Sequence, residues 1–268
     1  MEDELLTAKI VTLTTDFGLK DPYVAAMKAT ILGISPRVAI VDITHDLEKF
    51  NVRAGAFVLG SVAPYFPEGT VHVAVVDPGV GTQRRPIAIE TKHSFFVGPD
   101  NGLLILPAEA QGIKHIYELT SRRFMSSNVS STFHGRDIFA PAAAHLVNGT
   151  GIEEFGPQLT NVVKPEFSKV VRSKNFLIGE VLHVDDFGNI ITNIRAKDIA
   201  EFREGMLLVE LPNHKVQVKV SRAYADSKPQ EPLALVGSHN YMEIALNQGS
   251  AAAKFGSKAG DRITLSTA

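Results

Sequence analysis

The sequence predicts an α/β protein, in which a mostly parallel α/β sandwich domain is followed by a small C-terminal all-β barrel domain. In the first part of the chain, short apolar runs alternate with helical patterns, which is typical of βαβ units. Residues 71–76 form a near-continuous apolar run, as expected for a strand that is buried on both faces of a parallel sheet. After residue 176 only short strand patterns and turn signals remain, and this favours a barrel or sandwich.

The N-terminal domain is predicted over residues 1–160. Its first strand, over residues 9–14, ends in a turn. Asp21 and Pro22 are then the expected N-cap and first residue of a helix that continues to about Ile34. The next elements are a strand over 38–43, a helix over 52–62 and the strand over 71–76.

The rest of this domain is less regular. Two apolar runs, 87–91 and 94–97, are separated by two polar residues and predict a hairpin, and residues 115–119 predict a further strand. Residues 126–131 are polar and predict a surface loop. Asp137 is expected to cap a helix that runs through an alanine-rich stretch to Val147.

Residues 161–175 lack a clear hydrophobic period, and we predict that they link the two domains. The C-terminal β-barrel domain then spans residues 176–268. Seven strands are predicted in it, over 177–184, 190–194, 206–210, 216–220, 233–236, 242–246 and 261–265.

The composition excludes several classes of function. Lys and Arg together number 27 against 29 for Asp and Glu, so a net charge of −2 gives no electrostatic case for nucleic acid or an anionic membrane. The absence of cysteine excludes disulfides, thiolate metal sites and cysteine nucleophiles. No segment approaches the roughly 18 apolar residues of a membrane span, and the acidic start of the chain is unlike a signal peptide. We therefore expect a cytoplasmic protein.

The first candidate for function is Asp77, which directly follows the buried strand at residues 71–76. The carboxyl ends of strands are where open α/β sheets bind ligands, but a proline-glycine pair follows, so Asp77 is either a turn residue or a functional carboxylate. The glycines at 79 and 81 lack the third glycine of a dinucleotide site and the Lys-Ser/Thr of a P-loop. Arg84 and a second polar cluster at 133–137 favour the functional interpretation.

Two further side chains have both a functional and a structural interpretation. Asp16 ends the first strand, and a carboxylate at that sheet edge can accept hydrogen bonds from both hydroxyls of a ribose; alternatively it caps local amides. His134 is either a packing residue or a functional one. The histidines show no His-x-His or His-x-x-x-His spacing, so a zinc site has weak support.

The C-terminal domain offers two polar loops that contain aromatic residues, 185–189 and 237–241. Loops on a rigid β scaffold commonly present ligand contacts, although each of these is also compatible with a simple turn.

Five motifs, in order along nearly the whole chain, resemble those of the S-adenosyl-L-methionine (SAM) hydrolases, also called SAM hydroxide adenosyltransferases, which are relatives of the fluorinases and chlorinases. The motifs are at residues 13–18, 76–82 with Arg84, 98–103, 133–137 and 186–190. The resemblance implies an N-terminal α/β domain, a C-terminal β-barrel, and a homotrimer whose active sites lie between neighbouring subunits.

The resemblance also assigns roles to individual residues. It places a water-handling set at Asp77, Arg84 and His134, and the ribose-binding carboxylate at Asp16. The other substrate contacts that it implies are Asp21, Phe50, Phe133, Asp185, Asn189, Ser238, Tyr241 and Ala245.

Some of these assignments are more detailed than others. Asp21 and Ser238 match positions at the methionine end of the substrate, and Asn189 matches an adenine contact. His239 stands where the halogenases have arginine. The spacing leaves open which of the two adjacent aspartates in the 185–189 loop faces the ligand.

The implied reaction is the displacement of methionine from the ribose C5′ of SAM by water, which gives adenosine. The sulfonium leaves as a neutral thioether, so the site must position and deprotonate water; the base is Asp77 or His134, and Arg84 could help to stabilise hydroxide. No cofactor or metal is expected, because SAM is the substrate. One alternative is a SAM-dependent halogenase, in which a carboxylate would repel halide. The other is a non-catalytic SAM- or adenosine-binding protein.

Overall fold

The structure, a computed structural model, describes residues 9–199 and 206–267. The chain divides into two compact units, one that ends at Lys164 and one that begins at Pro165. The boundary falls inside the segment predicted as a linker. Within the first unit, residues of that segment are ordered by hydrogen bonds, for example from the Val163 amide to the Asp100 carboxylate at 2.8 Å.

The first unit contains a six-stranded sheet with the order β2-β1-β3-β5-β4-β6. All neighbouring strands are parallel except those that pair with β4, which is antiparallel to both β5 and β6, so the predicted hairpin and the mostly parallel sheet are confirmed. The strands are β1 (Ile10–Thr15), β2 (Ala39–Thr44), β3 (Val71–Val75), β4 (Pro86–Thr91), β5 (Phe95–Pro99) and β6 (Ile113–Glu118).

Helices cover both faces of this sheet, as the buried run of β3 requires. The helices are α1 (Tyr23–Ile34), α2 (Val52–Val62), α3 (Ile105–Gln111) and α4 (Ala140–Val147). Val73 and Val75 pack in one apolar cluster with α1 and α4, whereas Ala74 and Val76 pack in another with α2 and α3. Alternate side chains of one strand therefore contribute to two cores.

Two predicted helix caps are wrong. Helix α1 begins at Tyr23 with Pro22 as its N-cap residue, and no side chain caps it, so Asp21 is left outside the helix. Asp137 is also no cap, because a π-helical turn over Gly135–Phe139 precedes α4 and includes this residue. Because α1 begins at Tyr23 and α4 at Ala140, the carboxylates of Asp21 and Asp137 are available for other contacts.

Helix α3 was not predicted. It has only seven residues and contains Pro107, so no helical period is visible in the sequence. The turn-forming residues 98–102, which lie shortly before α3, predict a loop more strongly than the following residues predict a helix.

The second unit is a closed β-barrel. Seven strands form the ring in the order β8-β14-β10-β11-β12-β13-β9, which the pairing of β14 with β8 closes, and β7 pairs with β8 outside the ring. The strands are β7 (Val171–Arg172), β8 (Phe176–Val184), β9 (Ile190–Arg195), β10 (Met206–Leu211), β11 (His214–Val220), β12 (Pro232–Val236), β13 (Tyr241–Leu246) and β14 (Arg262–Thr267). All seven predicted strands are present in the ring.

The barrel unit also contains a short helix, α5 (Ala251–Phe255), where the sequence pattern predicted only strands. The Ser250 side chain caps it by accepting a hydrogen bond from the Ala253 amide, and Gly256 ends it in a left-handed conformation. These cap residues were visible in the sequence.

Among residues 9–199 and 206–267, every helix is too short or too polar to cross a lipid bilayer.

Candidate active site

A cleft of about 260 Å³ lies at the carboxyl end of the parallel sheet in the first unit. Strands β1 and β3 are parallel neighbours with Thr15 paired to Val75, so the residues that follow them, Asp16 and Asp77, reach the same edge. The cleft is lined by Asp16, Phe17, Asp21, Tyr23, Lys49, Phe50, Val75, Asp77, Val80, Thr132, Phe133, His134 and Gly135. Of the predicted site residues in this unit, only Arg84 is not part of the lining.

Asp77 and Arg84 form a buried, two-point ion pair. Arg84 donates through Nε to Asp77 Oδ1 at 3.1 Å and through Nη2 to Asp77 Oδ2, and the two side chains are only 5% and 7% exposed. The fork of the guanidinium matches both carboxylate oxygens, so the pair holds the carboxylate in one orientation.

The loop that carries this pair depends on a glycine. Gly81 has a φ of +76°, and a Cβ atom there would lie 2.3 Å from the carbonyl oxygen of Ser131. The Thr82 hydroxyl donates to the Gly79 carbonyl at 2.7 Å and tightens the turn. The loop of Asp77 and the chain that leads to His134 therefore pack directly against each other.

His134 contacts the ion pair from the other side. Arg84 Nη2 lies 3.0 Å from His134 Nδ1, and arginine can only donate, so Nδ1 must accept and a neutral His134 carries its proton on Nε2. Burial and the Arg84 guanidinium lower the pKa of His134 below the ordinary histidine value, and Asp77 and Asp137 only partly oppose this. His134 is thus neutral near pH 7.

Asp137 anchors the segment on which His134 lies. Its carboxylate is buried, accepts from the Ser130 amide at 2.8 Å and pairs with Arg136, whose guanidinium lies 5.1 Å from the Phe133 ring centroid. These contacts lower the pKa of Asp137 despite its burial. The residue that was predicted to cap α4 instead holds the cleft wall in place.

Asp16 lies across the cleft and is 5% exposed. Its Oδ2 accepts from the Phe50 amide at 2.8 Å, and Lys49 Nζ donates to its main-chain carbonyl. Phe50 has a φ of +65°, which is rare for a bulky residue, and its side chain is 69% exposed. The bond to Asp16 therefore holds a strained residue at the mouth of the cleft.

The apolar part of the cleft wall is a set of three aromatic rings, Phe17, Tyr23 and Phe133, with centroids 5.2–5.9 Å apart. Of these, only Phe133 was predicted. Phe17 adjoins Asp16 in a motif and could have been found, whereas Tyr23 becomes a wall residue only because α1 begins there.

In the barrel unit, Asp185 and Asn189 form a self-contained hairpin. Asp185 Oδ1 accepts from the Asn189 amide at 2.8 Å, and Oδ2 accepts from the Asn189 side chain at 2.9 Å. Asp186 is exposed. Both oxygens of Asp185 thus have partners within the loop, while Asp186 is the more accessible of the two aspartates.

The remaining predicted substrate contacts lie on and before β13. Ser238 is in the loop that joins β12 to β13, and the side chains of Tyr241 and Ala245 are buried on the strand face opposite the barrel interior. The Tyr241 hydroxyl accepts from Arg195 Nη2 at 3.2 Å.

A buried carboxylate beside this loop, Glu243, was not predicted from the sequence. Glu243 is 4% exposed, accepts from the Tyr224 hydroxyl at 2.7 Å and lies 2.7 Å from His239 Nε2. A Cβ atom on Gly237 would lie 1.9 Å from its Oε1, so the loop is wrapped closely around the carboxylate. Burial and Glu243 together raise the pKa of Tyr224. Strand alternation alone would place Glu243 at a solvated position.

The described residues include no group of three His, Asp or Glu side chains arranged to hold a metal ion.

The chain matches two family models and several known proteins. The models of the SAM hydroxide adenosyltransferase N-terminal and C-terminal domains match residues 11–156 and 179–264. A curated relative from Methanocaldococcus jannaschii, named (R)-S-adenosyl-L-methionine hydrolase, is 38% identical over 91% of this chain and 90% of its own. A fluorinase from an Actinoplanes species is more distant, at 27% identity over 97% of this chain and 98% of its own.

A solved structure is also similar over nearly the whole chain. A conserved, uncharacterised protein from Thermotoga maritima is 40% identical and superimposes with a TM-score of 0.87, over 96% of this chain and 99% of the other. With both family models matched and relatives of this identity, the resemblance in the motifs is confirmed, and the chain belongs to the SAM hydroxide adenosyltransferase family.

Proposed function

We propose that this protein hydrolyses SAM to adenosine and L-methionine by attack of water on the ribose C5′. The observation that carries the proposal is the Asp77–Arg84–His134 cluster. Asp77 and His134 line a cleft that also contains Asp16. The names of the relatives support the same reaction, and they specify the (R) epimer at sulfur as substrate.

The cluster offers a defined place for one water molecule. Asp77 presents only acceptor oxygens to the cleft, and His134, with Nδ1 occupied by Arg84, presents Nε2–H. A water molecule between them donates to Asp77, accepts from His134 and keeps one lone pair for C5′. Holding a nucleophile in attack geometry contributes roughly 7–11 kcal/mol to lowering a barrier.

We propose separate roles for these side chains, which the sequence left open. His134 can take a second proton only on Nδ1, at the cost of its bond from Arg84, so we propose that Asp77 accepts the proton as the C–O bond forms. Arg84 does not line the cleft and acts as a positioning residue, which holds Asp77 and His134 in register. The sulfonium departs as a neutral thioether and needs no general acid.

Asp16 is the proposed ribose ligand. Within the described part of the chain, the Asp16 carboxylate has one partner, the Phe50 amide on Oδ2, so Oδ1 and the remaining lone pairs can accept from the two ribose hydroxyls. Phe50 is held beside it at the mouth of the cleft, where an exposed ring can cover the substrate.

The barrel residues Asp185, Asn189, Ser238, Tyr241 and Ala245 enter this proposal through the family resemblance. We propose a homotrimer in which they complete the adenine and methionine contacts of a neighbouring subunit's cleft, and the resemblance is the support for it. We also propose a cytoplasmic location, which the cysteine-free sequence supports.

Halogenation fits the cleft less well. A desolvated halide beside the Asp77 carboxylate would be repelled by several kcal/mol, on the order expected for like charges in a partly buried site. The fluorinases are also the more distant relatives.

The test is hydrolysis of SAM in oxygen-18 water, with separate (R) and (S) preparations and with and without added chloride or fluoride. We expect adenosine with the label in its 5′-hydroxyl, and faster turnover of the (R) epimer. Label in another product, intact SAM after a long incubation, or a 5′-halogenated nucleoside would each contradict the proposal.

A further inference from the structure

One of the five sequence motifs, at residues 98–103, contributes no residue to the lining of the cleft. It forms the end of β5 and the turn that leads towards α3. This turn nevertheless contacts both ends of the loop that carries Asp77 and Arg84. That loop leaves the sheet after β3 and returns to it at β4.

The first contact is at the start of the loop. The Asn101 side-chain amide donates to the Val76 carbonyl at 2.8 Å. Strand pairing stops short of this carbonyl, because β3 pairs with β1 as far as Val75 and with β5 as far as Val73. Val76 is fully buried, so its carbonyl needs a partner within the protein. Asn101 therefore holds the peptide group that leads into Asp77.

The orientation of the Asn101 amide is set by two partners of opposite kind. Its Oδ1 accepts from the Leu103 main-chain amide at 3.1 Å, while its Nδ2 donates to the Val76 carbonyl. A main-chain amide can only donate and a carbonyl can only accept, so exchanging the two ends of the side chain would break both bonds. Gly102 has a φ of +95°, which lets the chain turn directly after Asn101. The donor to Val76 is thus fixed in place.

The second contact is at the end of the loop. The Asp100 main-chain amide donates to the Arg85 carbonyl at 2.9 Å, next to Arg84. The Asp100 carboxylate pairs with the Arg85 guanidinium and accepts from the Val163 amide. The main-chain bond does not depend on the Asp100 side chain, so the Asn101 amide is the side-chain group of this turn that bears most directly on the loop.

The geometry of the cluster depends on where the loop begins. The Arg84 guanidinium contacts both oxygens of Asp77 and also His134 Nδ1. A rotation of the peptide group before Asp77 would move the carboxylate relative to the guanidinium. Misplacement of a reacting group by about 1 Å can lower a rate by roughly 100-fold.

We propose that Asn101 is a positioning residue for the reaction. Its side-chain amide holds the peptide group that leads into Asp77, and so keeps the carboxylate aligned with Arg84 and His134. The inference rests on the proposed function for its effect on catalysis, whereas its effect on the geometry of the cluster can be measured without turnover.

The diagnostic variant is Asn101→Asp. A carboxylate keeps the shape of the side chain and the acceptor for Leu103, but it cannot donate to the Val76 carbonyl. Asn101→Ala removes the same donor without adding a charge, and it replaces the aspartate variant if that variant does not fold.

The matched control is Asn193→Asp in the barrel unit. The Asn193 side chain is buried, donates to two main-chain carbonyls and accepts from a main-chain amide at 2.9 Å, but it has no place in the proposed site. It is therefore a structural asparagine with the same kinds of partner as Asn101.

We expect Asn101→Asp to lower kcat for SAM by roughly 10-fold to 100-fold and to leave adenosine affinity within a few-fold. Asn193→Asp should lower the free energy of unfolding and leave kcat within a few-fold. In an Arg84→Lys background the cluster has already lost its alignment, so Asn101→Asp should lower kcat further by less than about threefold.

Nitrogen-15 NMR of the histidine rings in the full chain tests the same geometry without turnover, and His134→Gln identifies the His134 signals. The parent protein should carry the His134 proton on Nε2 at neutral pH, because Nδ1 accepts from Arg84. In Asn101→Asp the signals should show a mixture of the two neutral forms, whereas Asn193→Asp should match the parent.

Unchanged kcat or unchanged His134 signals in Asn101→Asp would overturn the inference. Additive losses with Arg84→Lys, or a loss of adenosine affinity that parallels the loss of kcat, would overturn it as well, since Asn101 would then act on the whole fold. If the parent protein does not hydrolyse SAM, the proposed function fails, and the His134 signals alone decide whether Asn101 aligns the cluster.

Discussion

The cleft of the first unit and the loops of the barrel unit use similar residues in different ways. In the barrel, Asp185 has both oxygens bonded to Asn189, and Glu243 is bonded to Tyr224 beside His239. In the cleft, Asp21 forms no hydrogen bond or ion pair with any other residue that the structure describes.

The difference teaches how each unit contributes to binding. Polar groups that are satisfied within a loop fix its shape, whereas charges without partners remain available to a ligand. We therefore expect substitutions in the cleft to act on chemistry and ligand charge, and those in the barrel to act first on loop geometry.

The largest expected effect is that of Asp77→Asn. The amide keeps the size of the side chain but cannot take the proton from water, so kcat should fall by roughly 10²–10⁴-fold while adenosine affinity stays within a few-fold. Steady-state kinetics with SAM and calorimetry with adenosine would measure the two quantities.

The matched control for this substitution is Asp100→Asn. The Asp100 side chain is as buried as that of Asp77, and it pairs with Arg85, the residue after Arg84, but it does not line the cleft. Asp100→Asn should lower the free energy of unfolding and leave kcat within a few-fold of the parent value. Comparable loss of activity in both variants would show that Asp77 acts only through the fold.

The second effect is that of Arg84→Lys. A lysine keeps the charge but cannot bond both oxygens of Asp77 and Nδ1 of His134 at the same time. The Asp77 carboxylate and the His134 ring would then no longer be held in a fixed position relative to each other. We expect kcat to fall by roughly 10²-fold, with little change in adenosine affinity. Near-normal kcat in Arg84→Lys would mean that charge alone suffices and that the fork geometry is not needed.

The third effect is on pH dependence. Burial and Arg84 lower the pKa of His134, so it stays neutral through pH 6.5, and protonation at lower pH would break its bond from Arg84. The plateau of kcat/KM should therefore extend below pH 6.5, and activity should fall as pH drops through the lowered pKa. A profile of kcat/KM against pH for the parent protein and His134→Gln measures this, and a falling limb centred above pH 6.5 would contradict it.

The smallest effect is expected in the barrel. Asp185→Asn removes an acceptor from the hairpin and should cost about 1 kcal/mol of unfolding free energy, whereas Asp186→Asn should cost almost nothing. Urea denaturation compares the two variants, and KM for SAM shows which aspartate reaches the substrate. A larger stability loss in Asp186→Asn would reverse the assignment of the structural aspartate.

Much of the fold was accessible from local patterns, because strand alternation, buried runs and turn formers act within a few residues. The exceptions have local causes as well. Helix α3 is short and contains Pro107, and α1 begins beyond Asp21 because Pro22 serves as its N-cap residue. The lining residues Tyr23 and Lys49 carried no motif, and only their placement at the cleft marks them.

By itself, the sequence determined the positions of most strands along the chain, the two-part architecture and the presence of Asp77, Arg84 and His134 in family motifs. Only the tertiary structure decided that Arg84 lies outside the cleft lining, that a neutral His134 must donate through Nε2, and that Asp21 and Lys49 form no ion pair with another residue of 9–199 and 206–267. The physical reason is distance along the chain. Arg84 and His134 are 50 residues apart, and their contact depends on the close approach of Gly81 to Ser131, which no local pattern encodes.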